Sequence, residues 1–156
     1  MALRTVSCDP GKRYCGIALF EDSLLVDAKL IRSKEEWPYC TKELAQKAKQ
    51  FCNGPVDDLI LEYPTVARSW GKADPNDLVA LAFTLGALTT TLPATRVECI
   101  EPQRWKGTIS PEIVFARIKS TLSEDEKKRM KHKNEHVLDA IGIGMWYCKR
   151  LHAGRT

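Results

Sequence analysis

Three carboxylates and one imidazole occupy positions from which a folded chain could bring them together. Asp9 closes a short β-rich segment, Leu3-Arg4-Thr5-Val6-Ser7-Cys8. Glu62 closes the apolar run Leu59-Ile60-Leu61, and Asp139 lies early in the last apolar segment, three residues after His136. Clustered carboxylates repel one another and resist burial, so they persist together chiefly where a cation neutralises them. Oxygen donors with few or no thiolates favour Mg²⁺ or Mn²⁺ over zinc. Two such ions about 4 Å apart activate a water and stabilise the leaving oxygen of a phosphodiester, which is nuclease chemistry. Taken singly, each acid has an ordinary explanation. Asp-Pro-Gly is a turn, a strand-end acid is solvated, and an early helical Asp compensates the dipole. His136 could equally be a surface or capping residue. Coincidence on the right elements argues for a site.

Those elements can be read from the pattern. Residues 3–9, 14–20 and 24–31 are short and β-rich, separated by Asp9-Pro10-Gly11 and Glu21-Asp22-Ser23, and predict an antiparallel meander. Residues 35–52 carry Leu44, Ala45, Ala48 and Phe51 at helical spacing and end at Asn53-Gly54-Pro55. Residues 58–62 form a continuous apolar run suited to a buried central strand. Asp74 caps and Pro75 opens a helix over about 75–92. A strand over 96–100, a helix from Pro111 to about Leu122 and a final helix over about 134–150 complete the order. The expectation is one α/β domain over residues 1–156, a mixed five-stranded sheet flanked by helices. If the first and fourth strands are neighbours, Asp9 and Glu62 face one crevice. A helix laid across that edge would add Asp139 and, one turn earlier on the same face, His136.

Composition narrows the class. A chain of 156 residues with 44% apolar and 28% charged residues is an ordinary globular domain. No stretch approaches the roughly 20 apolar residues of a membrane span, and no export signal layout precedes the first strand, so a cytoplasmic protein is expected. The six cysteines, Cys8, Cys15, Cys40, Cys52, Cys99 and Cys148, are scattered without a Cys-x-x-Cys pair. Reduced, half-buried thiols are expected rather than disulfides or zinc. The net charge of +4 is modest, but from Arg104 to Lys133 nine Lys or Arg face four acids, and the tail Lys149, Arg150, His152, Arg155 has none. That asymmetry predicts a polyanion-facing surface. The segment Leu78 to Leu88 is apolar all round and must bury two faces, one on the sheet and the other on a symmetry mate or a neighbouring helix. Leu81 and Leu85 are the positions expected to point outward.

Val6-Ser7-Cys8-Asp9-Pro10-Gly11 with Gly16 resembles the opening motif of the RuvC Holliday-junction resolvases, and Leu59-Ile60-Leu61-Glu62 resembles their second acidic motif. His136-Val137-Leu138-Asp139-Ala140-Ile141-Gly142-Ile143-Gly144 is similar to their terminal helix. Pro102-Gln103-Arg104-Trp105-Lys106-Gly107 is similar to the basic segment of the short phage-borne members. The resemblance spans nearly the whole chain in order, and it implies an RNase H-like fold and metal-dependent cleavage of branched DNA by a homodimer, with paired nicks. It also implies Asp9, Glu62 and Asp139 as metal ligands and His136 as a fourth ligand or proton-transfer group; Glu135, four residues before Asp139, is almost as well placed but ranks second because His136 has the matching spacing. Lys106 would contact phosphate near the scissile bond. Further DNA contacts are expected at Arg104, Arg68, Trp70, Lys72, Arg117 and Lys119. The family often places an aromatic residue three positions after its second acid. Here that position is Thr65, with Tyr63 or Trp70 as substitutes.

Other readings remain open. Asp9-x-Gly11 followed by Gly16 is also similar to the first phosphate loop of actin-like ATPases and sugar kinases, which close two domains on a nucleotide. Gly11-Lys12-Arg13 with Gly16-Ile17-Ala18 resembles the YqgF-like relatives linked to RNA processing. A nucleic-acid-binding module of the same fold without cleavage would be expected to have a broken acidic set.

Overall fold

Strand alternation decides which side chains reach the site. The computed structural model describes residues 1–64, 74–130 and 134–152. Strands β1 (Arg4–Pro10), β2 (Tyr14–Glu21) and β3 (Leu24–Arg32) form the expected meander, turned between β2 and β3 by Asp22 and Ser23, both at positive φ. Helix α1 (Tyr39–Cys52) follows, then β4 (Val56–Glu62), α2 (Pro75–Thr91) and β5 (Ala94–Ile100). The sheet order is β3-β2-β1-β4-β5, with β4 parallel to both β1 and β5. The two strands that carry Asp9 and Glu62 are therefore neighbours, in register Cys8 to Leu61.

Helices α3 (Pro102–Lys106), α4 (Pro111–Thr121), α5 (Glu124–Arg129) and α6 (Glu135–Tyr147) complete the chain. Val6, Cys8, Leu59 and Leu61 point to a core closed by α1 and α2. Their alternates meet α6: Ile60 joins the core on that side, and Ser7 Oγ donates to the Ala140 carbonyl at 2.6 Å. Because side chains alternate along a strand, Asp9 and Glu62 fall on the α6 face with them.

Several expectations need correction. Helix α1 starts at Tyr39 rather than residue 35, since Pro38 disfavours helical geometry at Trp37. The short helices α3 and α5 were not expected. The first opens with Pro102 and the second is opened by a capping box between Ser123 and Glu126. Helix α2 buries only Ala80, Thr84 and Leu88. Leu81 and Leu85 are half-buried, and it is Val79 and Phe83, 53% and 51% exposed, that face outward. All six cysteines are free and four are buried, but Cys99 is exposed. Among the described residues no helix is long and apolar enough to cross a membrane.

Candidate active site

The site forms where β1 and β4 end beneath the start of α6. Asn134 caps α6, its side chain accepting from the His136 amide at 3.0 Å, and this sets the first turn over the sheet edge. The approach is close: a Cβ at Gly16 on β2 would overlap the His136 carbonyl, so only glycine lets α6 settle there. His136 then meets Asp9, its Nδ1 donating to Oδ2 at 2.8 Å. A carboxylate only accepts, so the proton sits on Nδ1 and Nε2 is the ring's remaining nitrogen. Tyr14 packs on the imidazole with ring centroids 4.2 Å apart. The bond to Asp9 raises the His136 pKa above its ordinary value. Glu135, the competing candidate, is exposed.

Glu62 and Asp139 converge on the Lys106 ammonium. Trp105, fully buried on α3, donates its indole N–H to Glu62 Oε2 at 2.5 Å. Lys106 places its ammonium 3.4 Å from Asp139 and 3.9 Å from Glu62. Burial pushes Glu62 up to about 7, against the pull of Lys106 and with the repulsion of Asp9. Burial likewise pushes Asp139 up to about 6, with Lys106 opposing and Asp9 adding. The cluster thus holds more negative charge than its surroundings solvate.

A hard divalent cation is the chemical complement of these donors. Among the described residues no three His, Cys, Asp or Glu side chains are drawn close enough to form a ready-made cage. Asp9 is turned to His136, Glu62 to Trp105, and Lys106 supplies positive charge beside Glu62 and Asp139. The donor chemistry and the raised pKa values nonetheless fit Mg²⁺ or Mn²⁺, which stabilise ionised carboxylates.

The expected DNA contacts are distributed unevenly. Lys106 is in the site. Arg104 lies one position before Trp105, its guanidinium 5.3 Å over the Trp146 ring. Arg117 and Lys119 are exposed on α4 and make no ion pair among the described residues. Arg68, Trp70 and Lys72 lie outside the described residues, as do Thr65, Lys133 and Arg155. Tyr63 follows Glu62 and donates its hydroxyl to Glu101 at 3.1 Å. The basic stretch from Arg104 to Lys133 is not one face. Lys127 and Lys128 pair with Glu124 and Asp125, and Arg129 bonds the Leu25 carbonyl. In the tail, Arg150 is drawn inward by Glu126 at 2.5 Å.

Trp105 and Tyr14 are the contributors that sequence reasoning missed. The available signal was a tryptophan between Arg104 and Lys106, whose N–H needs a partner once buried.

No protein-family model matches the chain, and no curated protein matches it by sequence. Solved structures do. Thermus thermophilus RuvC in complex with a Holliday-junction substrate superposes with a TM-score of 0.68 at 14% identity, covering 92% of this chain and 91% of that one. The fowlpox virus resolvase, solved with Holliday-junction DNA, gives 0.61 at 14% identity over 94% and 97%. The yeast mitochondrial Holliday-junction resolvase gives 0.56 at 13% identity over 95% and 78%.

Proposed function

We propose that this chain, which has the RNase H-like fold of the RuvC-type resolvases, is a metal-dependent endonuclease that cleaves four-way DNA junctions. The carrying observation is the convergence of Asp9, Glu62 and Asp139 from β1, β4 and α6, with Lys106 against two of them. Asp9, Glu62 and Asp139, with His136 beside them, would hold Mg²⁺ or Mn²⁺, one or two ions in all. The metal would supply an activated water and stabilisation of the leaving oxygen. The chain's own groups prepare that chemistry. Trp105 orients Glu62, and Asp9 orients His136 so that its second nitrogen can bind metal or move a proton. Lys106, 28% exposed, is the cation positioned to meet a phosphate approaching the carboxylates.

Two symmetric nicks resolve a four-way junction, and this chain carries one acidic constellation. A two-fold dimer supplies the second. The outer face of α2 suits it: Val79 and Phe83 are exposed, and Trp37 packs edge-on to Phe83 with centroids 5.4 Å apart.

A labelled synthetic junction incubated with and without Mg²⁺ tests the reading. Wild type should cut only with metal. Asp9→Asn, Glu62→Gln and Asp139→Asn should each abolish cleavage while leaving junction binding largely intact, because affinity comes from phosphate contacts. A variant with near-normal turnover removes that residue from the site. Preference for structured RNA would favour the YqgF-like reading, and binding by wild type without cleavage would favour a non-catalytic module.

A further inference from the structure

Helix α3 lies along one face of α6 in residue-by-residue register. Lys106 reaches Asp139 at 3.4 Å, the Trp105 ring fills the space a Cβ at Gly142 would take, and Arg104 stacks over Trp146 at 5.3 Å. Asp139 and Trp146 are seven residues apart, so they share a helix face and stand about 10 Å apart along its axis. The basic-aromatic-basic run of α3 therefore carries the carboxylate site down α6. It leads into an open groove of about 500 Å³ between β5, α3 and the end of α6.

Among the described residues, the groove is lined by Arg104, Lys149 and His152 against one acid, Glu98. Arg104 is held by the Trp146 ring and by Glu98 at 3.3 Å, yet its side chain stays 54% exposed. One of its five donors engages Glu98, and the rest of the planar fork is available. Lys149 sits at φ 59 in the turn that ends α6, its amide bonded to the Trp146 carbonyl at 3.0 Å, so the backbone fixes its position. Lys149 and His152 are exposed on the groove wall, and Glu98 is the acid facing them.

We propose that this groove binds the sugar–phosphate backbone of a DNA arm leading away from the carboxylate site, with Arg104, Lys149 and His152 as phosphate contacts and Trp146 positioning Arg104. The proposal rests on the nuclease reading and names a DNA surface beyond the site itself.

The test compares wild type with Lys149→Asn/His152→Gln, in which asparagine accepts the left-handed backbone. Junction affinity should fall about three- to tenfold, and the slope of log affinity against log salt should shrink by about 1–2, as two phosphate contacts are lost. Cleavage at saturating protein should be unchanged. Trp146→Leu should weaken binding comparably and Trp146→Phe should restore most of it, since an aromatic face again holds Arg104. Wild-type affinity and salt slope in the double variant overturn the proposal and leave the nuclease reading intact. The expected loss in a protein that binds junctions but cuts none supports the groove and overturns the nuclease reading. Tighter wild-type binding to RNA arms than to DNA arms overturns the assignment to DNA.

Discussion

Glu62 is oriented by an indole, and a single atom separates the orienting role of Trp105 from its packing role. Trp105→Phe keeps a ring against Gly142 and removes the N–H that reaches Glu62 at 2.5 Å. We expect about 10- to 100-fold lower activity or metal affinity, as for other groups that orient a ligand. A metal titration of cleavage reads this directly. An unchanged rate and metal dependence would separate that bond from function. His136→Ala should lower turnover by about 10²–10⁴, less than loss of a carboxylate, with a size that differs between Mg²⁺ and Mn²⁺. Wild-type activity of the variant in both metals would remove His136 from the chemistry.

Elements meet at the site only because glycines permit it. A Cβ at Gly142 would overlap both the Trp105 ring and Ile118 in a packed interior. Gly142→Ala should therefore cost about 1–3 kcal/mol of stability and lower cleavage, since Trp105 must shift away from Glu62; thermal melts and junction assays on one preparation measure both. Beyond the C-terminal end of α6, Glu126 pins α5, β3 and the tail together. Burial would raise its pKa, but hydrogen bonds from Arg150 and from the Leu25 and Ser123 amides outweigh that and hold it at about 2. Because the folded value lies below the unfolded value of about 4.3, the stabilisation is present above about pH 4.5 and fades as pH falls toward 2. Glu126→Gln should destabilise by about 3 kcal/mol at neutral pH, leaving Arg150 without its charged partner. The gap from wild type in urea midpoints should close over that acid window. A gap independent of pH would mean packing, not charge, is what Glu126 contributes.

Assembly belongs to the whole molecule. If α2 forms the two-fold contact, Phe83→Glu should give a folded monomer that nicks one strand and does not make paired cuts. Leu81→Glu, at a half-buried position, should instead cost stability in the monomer itself. Sedimentation across a dilution series, run beside a cruciform plasmid assay, separates the two. A wild-type monomer that linearises the cruciform in one binding event would end the dimer proposal.

Period-two alternation, turn residues and a capped apolar helix follow from local chemistry, so the meander, β4, α2, α6 and the acids at their ends were legible in the sequence. The register of β1 against β4 was written there only as a condition, because parallel pairing is decided by packing between distant segments. The partners inside the site were not legible. Whether a lysine faces phosphate or a carboxylate, and whether Trp105 is mere packing or holds Glu62, depends on α3 docking along α6. The same holds for charge: the basic stretch and the tail read as one surface in the sequence. In the fold Arg150 turns inward to Glu126, Lys127 and Lys128 pair with acids one turn away, and Lys149 remains beside Arg104 and Trp146. Charge counts depend on composition, but a surface depends on which charges the tertiary structure leaves without a neighbour to neutralise them.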